Sequence, residues 1–153
     1  MVVNSGSIIG DTVLLLRSIL ASGITDPYNA GSRIAKDPKS QFIMTGYPDR
    51  PAIYPILTVK VNYGPATRLG AFSESMKVDL DGEVRVWGRN NKERDQLGDA
   101  AFRTLRNMQI NSASGTEVNF LYDFHVVSSG DLDEEGKEGI HSKIFKVNYF
   151  TVV

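Results

Sequence analysis

From Met76 to Trp87 the chain alternates apolar and charged side chains without a break. Met76, Val78, Leu80, Gly82, Val84 and Val86 fall on one side; Lys77, Asp79, Asp81, Glu83 and Arg85 fall on the other. A period of two predicts a half-buried strand. Asp81-Gly82 has the composition of a hairpin turn, but a reversal there would move Glu83, Arg85 and Trp87 onto the apolar face. The stretch therefore reads as one strand of roughly 40 Å at about 3.3 Å per residue, with Gly82 as a bend or bulge. A strand of that length is expected to project in part beyond one protomer's core.

The period then changes from two to 3.6. After Gly88-Arg89, Asn90 is a good N-cap and Glu93 stands where a capping-box partner belongs. Leu97, Ala101, Leu105 and Met108, with Phe102 beside them, recur at helical spacing and predict an amphipathic helix laid on the sheet. Gly98 is unfavourable inside a helix unless a strand backbone packs closely there. Nearer the start, a helix opening at Ser7 or Gly10 carries Val13, Leu16 and Leu20 on one stripe, widened by Ile9, Leu14, Leu15 and Ile19, and stops at Gly23. So broad a stripe fits either a well-buried core helix or one also covered by a neighbouring subunit. Residues Met1 to Gly6 read as an arm or a loose start.

Three further strands are predicted. Leu57, Val59, Val61 and Tyr63 alternate with Thr58, Lys60 and Asn62, and Pro55, which has no amide hydrogen, places that end on a sheet edge. Val118, Phe120, Tyr122, Phe124 and Val126 alternate with polar residues. In the closing segment Phe145, Val147 and Tyr149 form one face, while Ile144, Phe150 and Val152 make the other face apolar too. A strand apolar on both faces needs cover on both. The pattern predicts one α+β domain over residues 1–153: a mostly antiparallel sheet of four or five strands, one amphipathic helix packed on it, and an N-terminal helix. Residues 24–52 read as a long irregular loop, punctuated by proline and glycine, with Phe42 to Met44 a candidate short strand. Residues 128–139 read as an acidic loop insertion.

With 153 residues, the length supports a single sizeable core. A formal charge of -1 supplies no global drive toward nucleic acid or anionic membranes. The absence of cysteine removes disulfides, thiolate catalysis and thiolate metal sites together. No apolar run is long enough for a membrane-spanning helix, and the N-terminus lacks the basic head and cleavage pattern of a signal peptide.

Candidate chemistry is sparse. His125 and His141, the two histidines, read as outward-facing strand residues without a serine or carboxylate arrangement for general-base work. Asp131, Asp133, Glu135 and Gly136 match the opening of a calcium loop, but Ser142 stands where its closing bidentate carboxylate belongs. Asp79 and Asp81 share a face with nothing to complete a ligand set, and no glycine-rich phosphate loop is present. No catalytic, cofactor-binding or metal residue is therefore assigned. Arg33, Lys36, Lys39 and Arg50 make the long loop mildly basic, offset by Asp26, Asp37 and Asp49; they are candidate loop contacts. Trp87 either anchors an interface or covers the helix terminus.

The order of elements resembles the tail terminator (tail-to-head joining, or tail completion) proteins of long-tailed bacteriophages and related viruses. The likeness is carried by Pro55 to Val61, by Lys77 to Trp87 running into Asn90 to Met108, and by Phe145 to Val152. It lies in element order and size, from about Asp11 onward, with no diagnostic motif. It implies a non-enzymatic structural protein of the virion, made in the host cytoplasm. Its place would be a hexameric ring at the neck that ends the tail tube. Its partners would be further copies, the tail tube protein and the head connector protein, with genomic DNA passing through the channel and no membrane contact. Asp131, Asp133, Glu134, Glu135 and Glu138 are then expected at the channel, where they would repel DNA phosphates, or at the neighbouring tail ring. Phe150, Val152 and Trp87 are expected at subunit contacts. The alternatives are another neck or tail component, such as a stopper or tube subunit, and a cellular α+β interaction module without catalysis.

Overall fold

A computed structural model describes residues 3–27, 41–45, 53–113, 121–132 and 140–153. The elements run α1 (Ile8–Gly23), β1 (Ile43–Met44), β2 (Ile56–Arg68), β3 (Met76–Gly88), α2 (Asn91–Ala113), β4 (Tyr122–Leu132) and β5 (His141–Val152). They build an α+β fold with a five-stranded sheet in the order β1-β2-β3-β5-β4, antiparallel throughout except for the β1-β2 pair.

The strand from Met76 runs straight through Asp81-Gly82, as its parity requires. Gly82 pairs with Val61 on one side and Val147 on the other without a register shift. It is thus neither bend nor bulge. A Cβ there would stand 2.7 Å from Val147 Cγ2 and 3.6 Å from Leu16 Cδ2, so glycine lets α1 settle onto the sheet. The irregularity falls instead in β2, between Tyr63 and Ala66. The projecting strand is also β2: β3 is paired with β5 along its length, whereas β2 is exposed at almost every residue from Asn62 onward.

Both helices lie on the apolar face of the sheet. Leu15, Leu16 and Leu20 of α1 join Leu97, Ala101, Leu105 and Met108 of α2 over Leu57, Val59, Val84, Val86, Phe145 and Val147 in one core. Fully burying such side chains contributes about 1.5–3 kcal/mol each. Glycines set the spacing here too. A Cβ on Gly23 would meet Thr104 Oγ1 at 2.5 Å, which marks where α1 crosses α2. At Gly98 the neighbours are the Lys143 and Phe145 side chains of β5, not strand backbone. The α2 terminus is capped by Asn90 Oδ1, which accepts from Glu93 N (2.8 Å). The Glu93 carboxylate accepts from Arg89 N (3.1 Å), one residue earlier than in a standard capping box.

Three further expectations change. Residues 3–6 are not an arm: Val3 is buried, and Asn4 N donates to Asp11 Oδ2 (2.8 Å). Pro55 lies just outside β2, and the adjoining strand end is covered, because β1 pairs with Leu57 and Thr58. The 128–139 loop begins too early: Ser128 to Leu132 belong to β4, held to Lys146 through Ser142 of β5. Polar residues suit an outer strand whose pairing is carried by backbone. Register shifts at Tyr122/His125 and Val126/Ser128 break the alternation that would have revealed it. The 24–52 loop contains β1; its residues 28–40 and 46–52 lie outside the described residues.

Candidate assembly surfaces

Paired residues share a face, so the registers define the side of the sheet opposite the helices. Lys60 and Lys146 flank Glu83, Asn62 and Asn148 flank Asp81, and Phe150 stands beside Asp79. The charges compensate locally: Lys77 Nζ reaches Asp79 at 3.4 Å and Arg85 reaches Glu83 at 3.1 Å. Such partly exposed pairs contribute about 0–1 kcal/mol each. The result is a wetted, mixed-charge surface without the single sign that would attract a polyanion.

The two ends of this face differ. At the Gly88 end a small second cluster is buried: Ile56, Thr58, Trp87 and Ser142. Trp87 is 1% exposed, its Nε1 donates to Thr58 Oγ1 (3.1 Å), and the Arg85 guanidinium lies over its ring at 5.0 Å. Trp87 thus closes the sheet within the protomer and offers almost no surface to a neighbour, which corrects its assignment to an interface. At the Met76 end Tyr122 and Phe150 stack with centroids 5.3 Å apart, and Lys77 Nζ lies 4.5 Å above Phe150. Val152 beside them is 40% exposed, and Ile144 and Phe150 are half-buried. The closing strand is therefore only partly covered on this face. α1 is better enclosed: Leu14 is exposed, but Ile8, Leu15, Leu16 and Leu20 are buried within the chain.

Both sides of the sheet end in open strands among the described residues. β1 covers only Leu57 and Thr58 of β2, and β4 has a partner on one side alone. The turn joining β2 to β3 is closed by Leu69 N to Ser75 O (3.1 Å) and Ser73 N to Gly70 O (3.2 Å). It holds Leu69 and Phe72 outward, Phe72 fully exposed.

Of the acidic residues expected at a channel, Asp131 is described. It lies in β4 and takes part in a junction that pattern reading missed. Arg94 reaches Asp95 (3.0 Å) and Asp131 (3.6 Å), and Lys143 reaches Asp95 (3.3 Å) and Asp131 (3.6 Å). The Arg94 and Lys143 cations hold the exposed Asp95 carboxyl below its ordinary value. Asp131 therefore ties α2 to the outer half of the sheet. Asp133, Glu134, Glu135 and Glu138 lie outside the described residues, as do Arg33, Lys36, Lys39 and Arg50.

The remaining candidates for chemistry are dispersed. Asp79, Asp81, Asp123 and His125 line a depression of about 240 Å³ with Asn148 and Phe150. Among the described residues no three His, Asp or Glu side chains converge to hold a metal ion. His125 Nδ1 lies 2.8 Å from Asp123 O. A groove of about 480 Å³ runs between the end of α1 and α2, lined by Ile24, Pro27, Lys92, Gln96, Leu97, Ala100 and Arg103 among others. Under the sheet's apolar face, Tyr149 Oη and Thr151 Oγ1 are buried without a hydrogen-bond partner. Burial pushes the Tyr149 phenol well up. No described helix is long and apolar enough to cross a membrane. No protein-family model matches the chain, and no curated protein matches it in sequence.

Proposed function

We propose that this chain is a structural protein of a virus tail, a terminator subunit that forms a ring on the tail tube and joins it to the head connector. The observation that supports the reading is a sheet that, among the described residues, carries both helices on one face and leaves β4 and most of β2 without an outer strand partner. A protomer of this kind has more surface suited to association than it uses itself. A head-to-tail contact between unlike surfaces, repeated by rotation, closes a ring. The work asked of such a ring is shape and subunit contact, without catalysis. The mixed-charge sheet face gives DNA little to adhere to, as passage of a genome requires.

Removing the coding sequence from the virus that carries it is expected to give tails of irregular length that fail to join filled heads, with rescue by the intact protein. Tails of normal length joined to heads would refute the reading. A second reading, a monomeric cellular interaction module without catalysis, is favoured by the bulges in β2 and β4 and by Lys60 and Pro65 on the length of β2 that β1 does not pair, which oppose edge-to-edge pairing.

A further inference from the structure

We infer that the β2–β3 turn of one copy docks into the α1–α2 groove of the next, with Phe72 on its apolar floor and Glu74 against the cations at its ends. The inference rests on the ring reading above and specifies one of its contacts. The turn is a prepared protrusion. Its backbone is closed by the bonds at Leu69 and Gly70, and Ser73 Oγ accepts from Ser75 N at 3.1 Å. Phe72 is thereby held fully in solvent and Leu69 largely so, with the carboxylate of Glu74 two residues on. Holding the turn ready in this way lowers the ordering cost of association.

The groove has the complementary character. Ile24 and Leu97 are buried at its floor and Ala100 is half-buried. Lys92 and Arg103 are eleven positions apart on α2, which returns them to the same face about 16 Å apart at 1.5 Å per residue. Both are exposed and form no ion pair among the described residues, while the third charged lining residue, Glu93, is engaged by Arg89 at 2.9 Å. The lining thus leaves two positive charges around an apolar floor, and the turn offers an aromatic ring beside a negative charge. The turn cannot fill its own groove. It lies beyond Met76, the groove beside Asn90, and β3 separates them by about 40 Å at 3.3 Å per residue. The occupant is a second copy, and the contact joins unlike surfaces, as ring closure demands.

The absence of cysteine allows a clean test. Phe72→Cys and Ala100→Cys proteins, mixed and oxidised, should give a cross-linked dimer that neither gives alone. Glu74→Lys should raise the concentration for half-assembly about tenfold or more, since like charges across a contact are strongly unfavourable. Adding Lys92→Glu and Arg103→Glu to the Glu74→Lys chain should restore assembly. Circular dichroism would confirm that each variant remains folded. Rings that form normally with Phe72→Ser and Glu74→Lys, with no mixed cross-link, would overturn this contact and leave the ring reading standing. A wild-type chain that stays monomeric both alone and with tail tubes would overturn both.

Discussion

Gly82→Ala is a sharp probe of how the helical layer sits on the sheet. The backbone at Gly82 is ordinary paired strand, so alanine meets no conformational obstacle. The added methyl would instead lie 2.7 Å from Val147 Cγ2, about 1 Å inside the best separation for two carbons. Overpacking of this kind costs about 1–3 kcal/mol. Replacing a strand glycine returns about 0.5–1 kcal/mol. The net expectation is a loss of up to about 2.5 kcal/mol, or up to roughly 10 °C in Tm for a chain of this size. Val147 is fully buried, and Val147→Ala alone should cost about 2 kcal/mol. It also removes the clashing methyl, so the double variant should be more stable than additivity predicts by at least about 0.5 kcal/mol. Urea unfolding at one protein concentration and unchanged slope measures all four states. A Gly82→Ala chain more stable than wild type, or strict additivity in the double variant, would refute the packing described.

Trp87, the sole tryptophan, should emit at short wavelength in the folded chain and shift to the red on unfolding; Trp87→Phe, which removes the bond to Thr58, should cost about 1–3 kcal/mol in urea unfolding. Asp95 has its carboxyl held down in the folded chain, so its stabilisation is present above the ordinary value of 3.8 and lost as pH falls below it; the stability difference between wild type and Asp95→Asn should close over that acid range, and an NMR titration of Asp95 at the ordinary value would contradict this. Tyr149 is shifted the other way: its contribution is complete below the ordinary value of 10.0 and is lost as pH rises above it. Because the Tyr149 hydroxyl lacks a partner, Tyr149→Phe should change stability at neutral pH by less than about 1 kcal/mol and flatten the alkaline fall, read by unfolding at successive pH values.

The parts of the fold legible in the sequence are those where one face is buried. β3 could be read through its length because each alternate residue from Val78 to Val86 meets the core, and parity alone rejected a turn at Asp81-Gly82. The α2 stripe from Leu97 to Met108 was visible for the same reason, and Asn90 marked its start. Legibility failed where burial ceases to dictate residue type. Ser128 to Asp131 lack apolar side chains, lie in an outer strand and are displaced by bulges, so strand looked like loop. The glycines were ambiguous because a bend, a bulge and a close approach all call for the same residue; only the neighbours, Val147 at Gly82 and Thr104 at Gly23, distinguish them. Trp87 looked like a surface residue because it alternates with charges, yet the face opposite the helices has its own buried end. The Arg94–Asp95–Lys143–Asp131 junction joins three elements distant in sequence, and no local pattern carries it. The turn at Leu69 and Phe72 did leave a signal: two large apolar residues in a short connection that has no core to face.

The central claim is that copies of this chain complete one another around an axis. Sedimentation of the purified protein across a wide concentration range, with negative-stain images of the same samples alone and mixed with tail tubes, tests it most directly. The account predicts a closed ring whose mass is an integral multiple of the protomer, six by the family resemblance, in solution or seated on tube ends. A protein that remains monomeric at every concentration and leaves tube ends bare would contradict it.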